Sequence, residues 1–289
     1  MFGKLRGADR PIIPLLSPGR QHERSFSSTL TAVHAPLAFK TLSDPGVKRG
    51  LIYAYRYFLV LVFTVFWGTL GTVLGLTDRS GDGAVWVARN WVSWILRGCG
   101  IRVVVEGLEN VDVSRPHVFM CNHQSVMDIA ALVQTIPVGF RFVAKRELAR
   151  IPFFGWALAL GGHVLIDRGD RPRAIRSLER ASGQIRSGTN VIVFPEGTRS
   201  KTGELQSFKK GGFHLAIAAQ VPVVPVTVSG SQRITPKHSL RIESGEVVIR
   251  YGKPIPTAGM SASDRHPLAD EVRSAITMGY DPAYQDNSA

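Results

Sequence analysis

Residues 118–133 read VFMCNHQSVMDIAALV, and their character changes twice along the stretch. The apolar run Val118 to Cys121 is typical of a buried strand, and the run Ile129 to Val133 begins a helix. Between them lies the more polar stretch Asn122 to Asp128. A strand that leads directly into a helix is a building unit of α/β folds, and helix N-terminal amides at such a junction favour nearby negative charge. This junction is therefore a favourable position for catalytic side chains.

Short apolar strands alternate with helical stretches throughout the chain past residue 100. Arg173 to Ser187 and Phe213 to Gln220 have the pattern of helices. The predicted strands are Ile101 to Val105, Val118 to Cys121, Arg141 to Ala144, His163 to Ile166, Val191 to Phe194, Val223 to Val228 and Glu246 to Tyr251. The alternation predicts an α/β fold with a largely buried central β-sheet flanked by helices.

His123 and Asp128 form a potential general base and its orienting carboxylate. A neutral imidazole accepts a proton from an alcohol near neutral pH, and a carboxylate on its other nitrogen fixes the tautomer. An enzyme nucleophile is missing, because no Gly-x-Ser-x-Gly elbow occurs, and acylation of Ser125 is disfavoured for the same reason. Cys99 and Cys121 do not form a metal-binding pair, so no metal is expected. The substrate's own hydroxyl is the expected nucleophile.

A second motif, Phe194 to Ser200, reads FPEGTRS and follows a buried strand. Arg199 offers a planar fork of donors suited to phosphate, and Gly197 allows close approach of backbone amides. The stretch is not a Walker A loop, since the Gly-Lys-Ser/Thr triplet is absent, which disfavours nucleotide hydrolysis. The two motifs together indicate acyl transfer to a phosphate-bearing alcohol.

Four blocks in this order resemble the glycerolipid acyltransferase family. Asn122 to Asp128 matches its His-x4-Asp block, and Phe194 to Ser200 matches its Phe-Pro-Glu-Gly-Thr-Arg-Ser block. Weaker matches are GHVLIDR at Gly162 to Arg168 and VPVVPVT at Val221 to Thr227. The resemblance covers Val103 to Pro256, and it departs from the family at position 165, where a leucine replaces the usual aromatic residue of the acceptor pocket.

The resemblance implies that His123 is the base and Asp128 its partner. By position it also implies six acceptor-binding residues, namely Lys145, Arg168, Glu196, Gly197, Thr198 and Arg199. For Lys145 and Arg168 the alternative is a solvated side chain in a basic run. Glu196 either serves acceptor hydroxyls or only braces Arg199.

The expected reaction, again implied by the resemblance, moves a fatty acyl group from acyl-coenzyme A or acyl-carrier protein to the sn-2 hydroxyl of lysophosphatidic acid. These thioesters are co-substrates, and no cofactor is expected. Lyso-ornithine lipid, other lysophospholipids and glycerol 3-phosphate remain alternative acceptors. The apolar segment Ile151 to Leu160 either lines an acyl-chain path or forms a plain core helix. A lipid ester hydrolase and a non-enzymatic basic tether are further alternatives, and both are disfavoured.

The net charge of +13 over 289 residues fits an anionic membrane or nucleic acid as partner. Tyr57 to Leu76 carries no charge and is long enough to cross a bilayer, so membrane lipids rather than nucleic acid are expected. Ala84 to Arg97 has one apolar helical face, which predicts an interfacial helix.

The expected membrane topology depends on the charges before the apolar helix and on where the acyl donors are found. Lys48, Arg49 and Arg56 favour a cytoplasmic start of the apolar helix. Because the expected donors are cytoplasmic, we expect a re-entrant or in-plane two-helix anchor that leaves the catalytic domain on the cytoplasmic face of the inner membrane. The expected organisation is a basic, mostly disordered extension at 1–50, a membrane-embedding segment at 51–97, a catalytic domain at 98–279 and a tail at 280–289.

Overall fold

The computed structural model describes residues 44–77, 82–167, 169–281 and 284. Most of the predicted N-terminal extension and Arg168 lie outside these residues. The described helices are α1 (Pro45–Thr77), α2 (Asp82–Cys99), α3 (Met127–Thr135), α4 (Phe154–Leu160), α5 (Arg171–Arg186), α6 (Lys210–Ala219), α7 (Ser231–Ile234) and α8 (Arg265–Met278). The strands are β1 (Ile101–Glu106), β2 (Val118–Cys121), β3 (Phe140–Lys145), β4 (Val164–Ile166), β5 (Asn190–Val193), β6 (Val223–Ser229) and β7 (Gly245–Tyr251).

The strands form one sheet in the order β1-β7-β6-β2-β5-β3-β4. Neighbours are parallel except β6 and β7, which are antiparallel. Strand β2 lies in the middle, where Phe119 pairs with Ile192 of β5 and Val224 of β6. Since β2 and β5 are parallel neighbours, the two sequence motifs that follow them meet at the same edge of the sheet.

Side chains of β2 alternate between the two faces of the sheet, as the two-residue period of a strand requires. Phe119 and Cys121 belong to an apolar cluster formed with α2 and α3. Val118 and Met120 belong to a second cluster formed with α5, α6 and α8. A sheet that is covered on both faces explains why its strands read as continuous apolar runs.

The predicted α/β class and all seven predicted strands are confirmed, and each strand end differs from its prediction by one residue at most. The C-terminal helix α8 was not predicted. Its contribution to the core rests on the spaced residues Leu268, Val272 and Ile276, within a largely polar stretch. Beyond it, Tyr284 packs beneath Arg233 with the guanidinium carbon 5.2 Å from the ring centroid, so this part of the predicted tail contacts the domain.

Helix α1 begins at Pro45 rather than at Leu51, and it is long and apolar enough to cross a membrane. Nevertheless it contacts the rest of the protein at both ends. Near its start, Arg56 donates a hydrogen bond to the carbonyl of Ile242. Near its end, a Cβ on Gly75 would lie 2.8 Å from the Cβ of Leu160 in α4. The helix therefore lies along the domain instead of projecting away from it.

Helix α2 does not present its apolar face to a membrane, as the prediction of an interfacial helix requires. Its apolar face packs into the core, with Val92 and Ile95 only 1% and 5% exposed. Arg89 of the same helix donates to the carbonyl of Ile136 at 2.7 Å. Val92 and Ile95 therefore belong to the same apolar cluster as residues of the sheet and of α3. The exposed residues of α2 include Trp86.

Candidate active site

The His123 ring and the Asp128 carboxylate are in direct contact. Nδ1 of His123 lies 2.8 Å from Oδ2 of Asp128, which is fully buried in the first turn of α3. The same oxygen accepts the backbone N–H groups of Gln124 at 2.7 Å and Ser125 at 2.8 Å. An oxygen that accepts from these two N–H groups is best placed to accept from the ring as well, which puts the ring proton on Nδ1. This leaves Nε2 of His123 as the atom that can accept a substrate proton.

Asn122 anchors this loop to the neighbouring strand. Its Nδ2 donates to the carbonyl of Val228 at 2.8 Å, and its Oδ1 accepts from the Val228 nitrogen at 2.7 Å. The side chain thus pairs with the β6 backbone in the manner of a strand residue. No separate role for Asn122 was predicted, because its partner lies far away in the chain.

Glu196 braces the backbone at the site. Its Oε1 accepts from the nitrogen of His123 at 2.6 Å, and its Oε2 accepts from both the backbone nitrogen and Nε2 of Gln206 at 3.0 Å. Glu196 is 2% exposed, and burial raises the pKa of its carboxyl despite these hydrogen bonds. Both carboxyl oxygens thus accept hydrogen bonds inside the protein, and acceptor binding by Glu196 stays a prediction.

The turn Gly197 to Arg199 forms the other side of the site. Gly197 has a φ of +73°, a conformation that favours glycine. In the described part of the chain, no carboxylate pairs with the guanidinium of Arg199, which borders the cavity beside His123. Lys237, which was not predicted, donates from Nζ to the Arg199 carbonyl at 2.5 Å and to Thr198 Oγ1 at 3.3 Å. Lys237 thereby holds the turn in place, and the turn brings Arg199 to the border of the cavity.

An apolar cavity of about 450 Å³ opens at these residues. His123, Lys145, Gly197, Thr198 and Arg199 border it. The walls come from α1, α2 and α4 and include Gly71, Val87, Trp91, Phe154, Ala157 and Leu158. Three of these wall residues belong to the predicted acyl-chain segment Ile151 to Leu160. The cavity thus joins the candidate base to the two N-terminal helices.

Aromatic rings cover one side of the base. The rings of His123 and Phe194 stack with centroids 3.9 Å apart and an interplanar angle of 20°. Phe142 continues the stack at 6.4 Å from Phe194. His163 also lines the cavity and accepts from the Phe142 nitrogen at 2.9 Å. Burial, followed by the charge of Arg141, lowers the pKa of His163 to about 3, so this ring is neutral.

The remaining predicted residues have different positions. Lys145 borders the cavity and pairs with Glu147 at 3.1 Å, while Arg168 lies outside the described residues. Ser125 is fully buried, and its Oγ donates to the carbonyl of Thr235 at 2.8 Å, which argues against acylation there. Cys121 is also fully buried, and burial raises the pKa of its thiol well above the usual value.

Comparison with known proteins places this fold and site in one class. The family model described as Acyltransferase matches residues 102–229. The chain is 33% identical over 254 residues to the 1-acyl-sn-glycerol-3-phosphate acyltransferase of Saccharomyces cerevisiae, covering 84% of this chain and 83% of that protein. It is 39% identical over 178 residues to the alpha enzyme of that name from Homo sapiens, covering 61% of this chain and 63% of that protein.

A solved structure agrees with these matches. The crystal structure of the 1-acyl-sn-glycerophosphate acyltransferase PlsC from Thermotoga maritima has a TM-score of 0.70 at 29% identity, covering 81% of this chain and 95% of that chain. The chain belongs to the 1-acyl-sn-glycerol-3-phosphate acyltransferase family, within the acyltransferases.

Proposed function

We propose that the protein transfers a fatty acyl group from an acyl thioester to the sn-2 hydroxyl of a 1-acylglycerol 3-phosphate, forming phosphatidic acid. The observation that carries the proposal is that His123, oriented by Asp128, and Arg199 border the same apolar cavity. A base, a cation and an apolar channel are the three features that an acceptor with a hydroxyl, a phosphate and an acyl chain requires.

The chemical step uses Nε2 of His123. It removes the hydroxyl proton as the acceptor oxygen attacks the thioester carbonyl, and the negative charge moves to the carbonyl oxygen. The intermediate then collapses, the carbon–sulfur bond breaks, and the leaving thiolate takes the proton from the imidazolium. Asp128 stabilises the imidazolium through Nδ1 throughout. No acyl-enzyme forms, and no metal or cofactor takes part in the proposed reaction.

Arg199 is the proposed phosphate ligand. A guanidinium presents a planar fork that binds two phosphate oxygens at once. Backbone N–H groups of Thr198 and Arg199 are the proposed donors to the oxyanion, because both residues line the same cavity as His123. Lys145, at the same border, is a second cation for the acceptor. Arg168 keeps its predicted role as an acceptor ligand.

The cavity walls favour an acyl chain inside the protein. Either acyl-coenzyme A or acyl-carrier protein supplies this chain as co-substrate. The wall residues come from helices with exposed outer surfaces, including Phe58, Leu61 and Phe66 of α1. A lipid acceptor or product therefore has a short path between a bilayer and the site.

For the same reason we propose that α1 lies in the membrane interface and that the catalytic domain faces the cytoplasm at the inner membrane. Contacts of Arg56 and Gly75 of α1 with the domain support this arrangement, since they hold the helix against the domain. Cysteines introduced after residue 100 will be labelled from the cytoplasmic side. The natural Cys99 and Cys121 are buried, which keeps the background low. Labelling only from the external side would contradict this topology.

The reaction is tested with purified protein in detergent and labelled acyl donors. We expect phosphatidic acid from lysophosphatidic acid with acyl-coenzyme A or acyl-carrier protein, and none from His123→Ala. Failure with both donors, from folded protein, would refute this acceptor and lead to other lysophospholipids, lyso-ornithine lipid and glycerol 3-phosphate. Free fatty acid as the sole product would indicate a hydrolase.

A further inference from the structure

The segment that follows α8 lies outside the matched acyltransferase region, yet it is fixed against the central sheet. Arg250 donates to the carbonyl of Gly279, and the nitrogen of Asp281 donates to Ser229 Oγ at 3.2 Å. The backbone of Gly279 approaches β6 so closely that a Cβ there would lie 2.3 Å from Thr227 Oγ1. These contacts hold Tyr280 at a defined position.

From that position Tyr280 reaches the catalytic loop. Its hydroxyl accepts from Nε2 of Gln124 at 3.2 Å, and the same Nε2 donates to the carbonyl of Gly203. Gln124 is 6% exposed, so both amide hydrogens are used in a site with little access to water. Burial first, and then the charge of Glu196, raise the pKa of Tyr280, which keeps its hydroxyl protonated.

Gln124 also belongs to the set of donors that hold the catalytic carboxylate. Its backbone nitrogen donates to Asp128 Oδ2 at 2.7 Å, next to the bond from His123 Nδ1. A shift of the Gln124 side chain would be passed to its backbone and then to Asp128. Without the Tyr280 oxygen, one buried amide hydrogen of Gln124 would lose its partner, which is a costly state that a side chain avoids by moving.

We propose that Tyr280 is a positioning residue, whose hydroxyl fixes Gln124 and thereby aligns Asp128 with His123 for acyl transfer. The inference rests on the proposed function and extends its machinery beyond the matched region to the C-terminal segment. The role is to preorganise the base, so it acts on the rate of the chemical step rather than on substrate affinity.

The first test compares Tyr280→Phe with Tyr284→Phe, a matched change on the same segment whose hydroxyl lies 3.4 Å from Glu246, away from the site. We expect Tyr280→Phe to lower kcat about fivefold to tenfold, as the loss of one buried hydrogen bond implies. KM for either substrate should stay close to wild type, and the melting temperature should fall by only a few degrees, because one buried amide hydrogen loses its partner. Tyr284→Phe should leave kcat, KM and the melting temperature unchanged. A kcat for Tyr280→Phe within twofold of wild type would overturn the proposal.

A double-mutant cycle asks whether Tyr280 acts through Gln124. After Gln124→Leu, the further change Tyr280→Phe should cost nothing more, because its partner is already gone. Independent effects that multiply would contradict the proposal. Gly279→Ala provides a second route, since it displaces the segment while keeping the Tyr280 hydroxyl, and it should lower kcat in the same way; an unchanged kcat would count against the proposed position of the segment.

The proton on His123 Nδ1 gives a readout that needs no turnover. Its NMR resonance, assigned by its absence in His123→Gln, should shift or broaden in Tyr280→Phe and stay unchanged in Tyr284→Phe. An unchanged resonance in Tyr280→Phe would overturn the proposal whatever kcat this variant has. An inactive wild-type protein would count against the proposed function alone, because the resonance still tests the alignment.

Discussion

The backbone nitrogen of His123 donates a hydrogen bond of 2.6 Å to Oε1 of Glu196, and this bond ties the two sequence motifs together. Glu196→Ala removes the acceptor for that nitrogen and for Gln206. An unpaired buried donor costs about 1–3 kcal/mol, so we expect the free energy of unfolding to fall by at least about 1 kcal/mol and kcat to fall with it. Denaturation and steady-state kinetics measure both. Glu196→Gln keeps one oxygen and should be milder, whereas a higher acceptor KM at unchanged stability would support the predicted role of Glu196 in acceptor binding.

His123→Ala and Asp128→Asn test the base and its orientation. General base catalysis contributes about 10²–10⁴-fold, so His123→Ala should lower kcat by that range or more in a folded protein. Asp128→Asn should also lose most activity, because an amide no longer stabilises the imidazolium. Single-turnover kinetics are the measurement. Ser125→Ala serves as control, and a loss as large as that of His123→Ala would revive the acyl-enzyme alternative.

Arg199→Ala should weaken binding of the acceptor, because a charge-assisted hydrogen bond to its phosphate contributes about 1.5–3 kcal/mol. That corresponds to about a 10- to 100-fold loss in kcat/KM for lysophosphatidic acid. Arg199→Lys should recover part of it, since an ammonium keeps the charge but loses the planar fork. Lys201→Ala, at an exposed neighbouring position, is the matched control. An unchanged acceptor KM and rate in Arg199→Ala would refute the phosphate assignment.

Ala88 lines the cavity from α2, and Ala88→Leu adds volume toward it. We expect a preference for shorter acyl chains, because a larger wall residue shortens the space that the chain can occupy. Competition between acyl thioesters of different lengths measures the shift. Trp86→Ala changes the exposed face of the same helix and should leave the preference unaltered. The same chain profile in Ala88→Leu and wild type would show that the acyl chain binds elsewhere.

His117 is fully buried, and burial lowers the pKa of its ring. The native protein therefore keeps this ring neutral where the unfolded chain binds a proton. The contribution of the neutral His117 ring to the free energy of unfolding should be fully present above the ordinary pKa of about 6.5. This contribution should fall as the pH decreases below that value. His163, with a pKa of about 3, acts in the same direction. Denaturation between pH 5 and 8 measures the slope, and His117→Leu should flatten it; an equal slope in that variant would place the effect elsewhere.

The strands were predictable because each carries its own signal. Five parallel pairings and buried faces require unbroken apolar runs such as Val118 to Cys121 and Val223 to Ser229, and such runs are visible in the sequence. Helix α8 has no unbroken apolar run, and its local signal is only the four-residue spacing of Leu268, Val272 and Ile276. Its place depends on contacts with β6, including the bond from Thr227 Oγ1 to the Ile276 carbonyl at 2.9 Å.

The candidate base and its carboxylate were also predictable, because His123 and Asp128 are only five residues apart, across the short loop that leads into α3. The hydrogen bonds that Glu196 makes were not predictable from the sequence. Its choice between the acceptor and the backbone depends on which groups surround it after folding, and both of its partners belong to other segments. The orientation of α2 was misjudged for the same reason, since an apolar face packs equally well against lipid or against a sheet.

Local patterns in the chain were thus sufficient for the α/β class, the strand positions, the family resemblance and the His123–Asp128 pair, because neighbours along the chain carry those properties. The brace at Glu196, the cavity beneath α1 and α2 and the contact of Tyr280 with Gln124 required the tertiary structure. Each of them joins residues that are far apart in the chain, and their meeting follows from the strand order, which puts β2 beside β5 and β6. No local pattern encodes such a meeting, since the sheet creates it only when the whole core assembles.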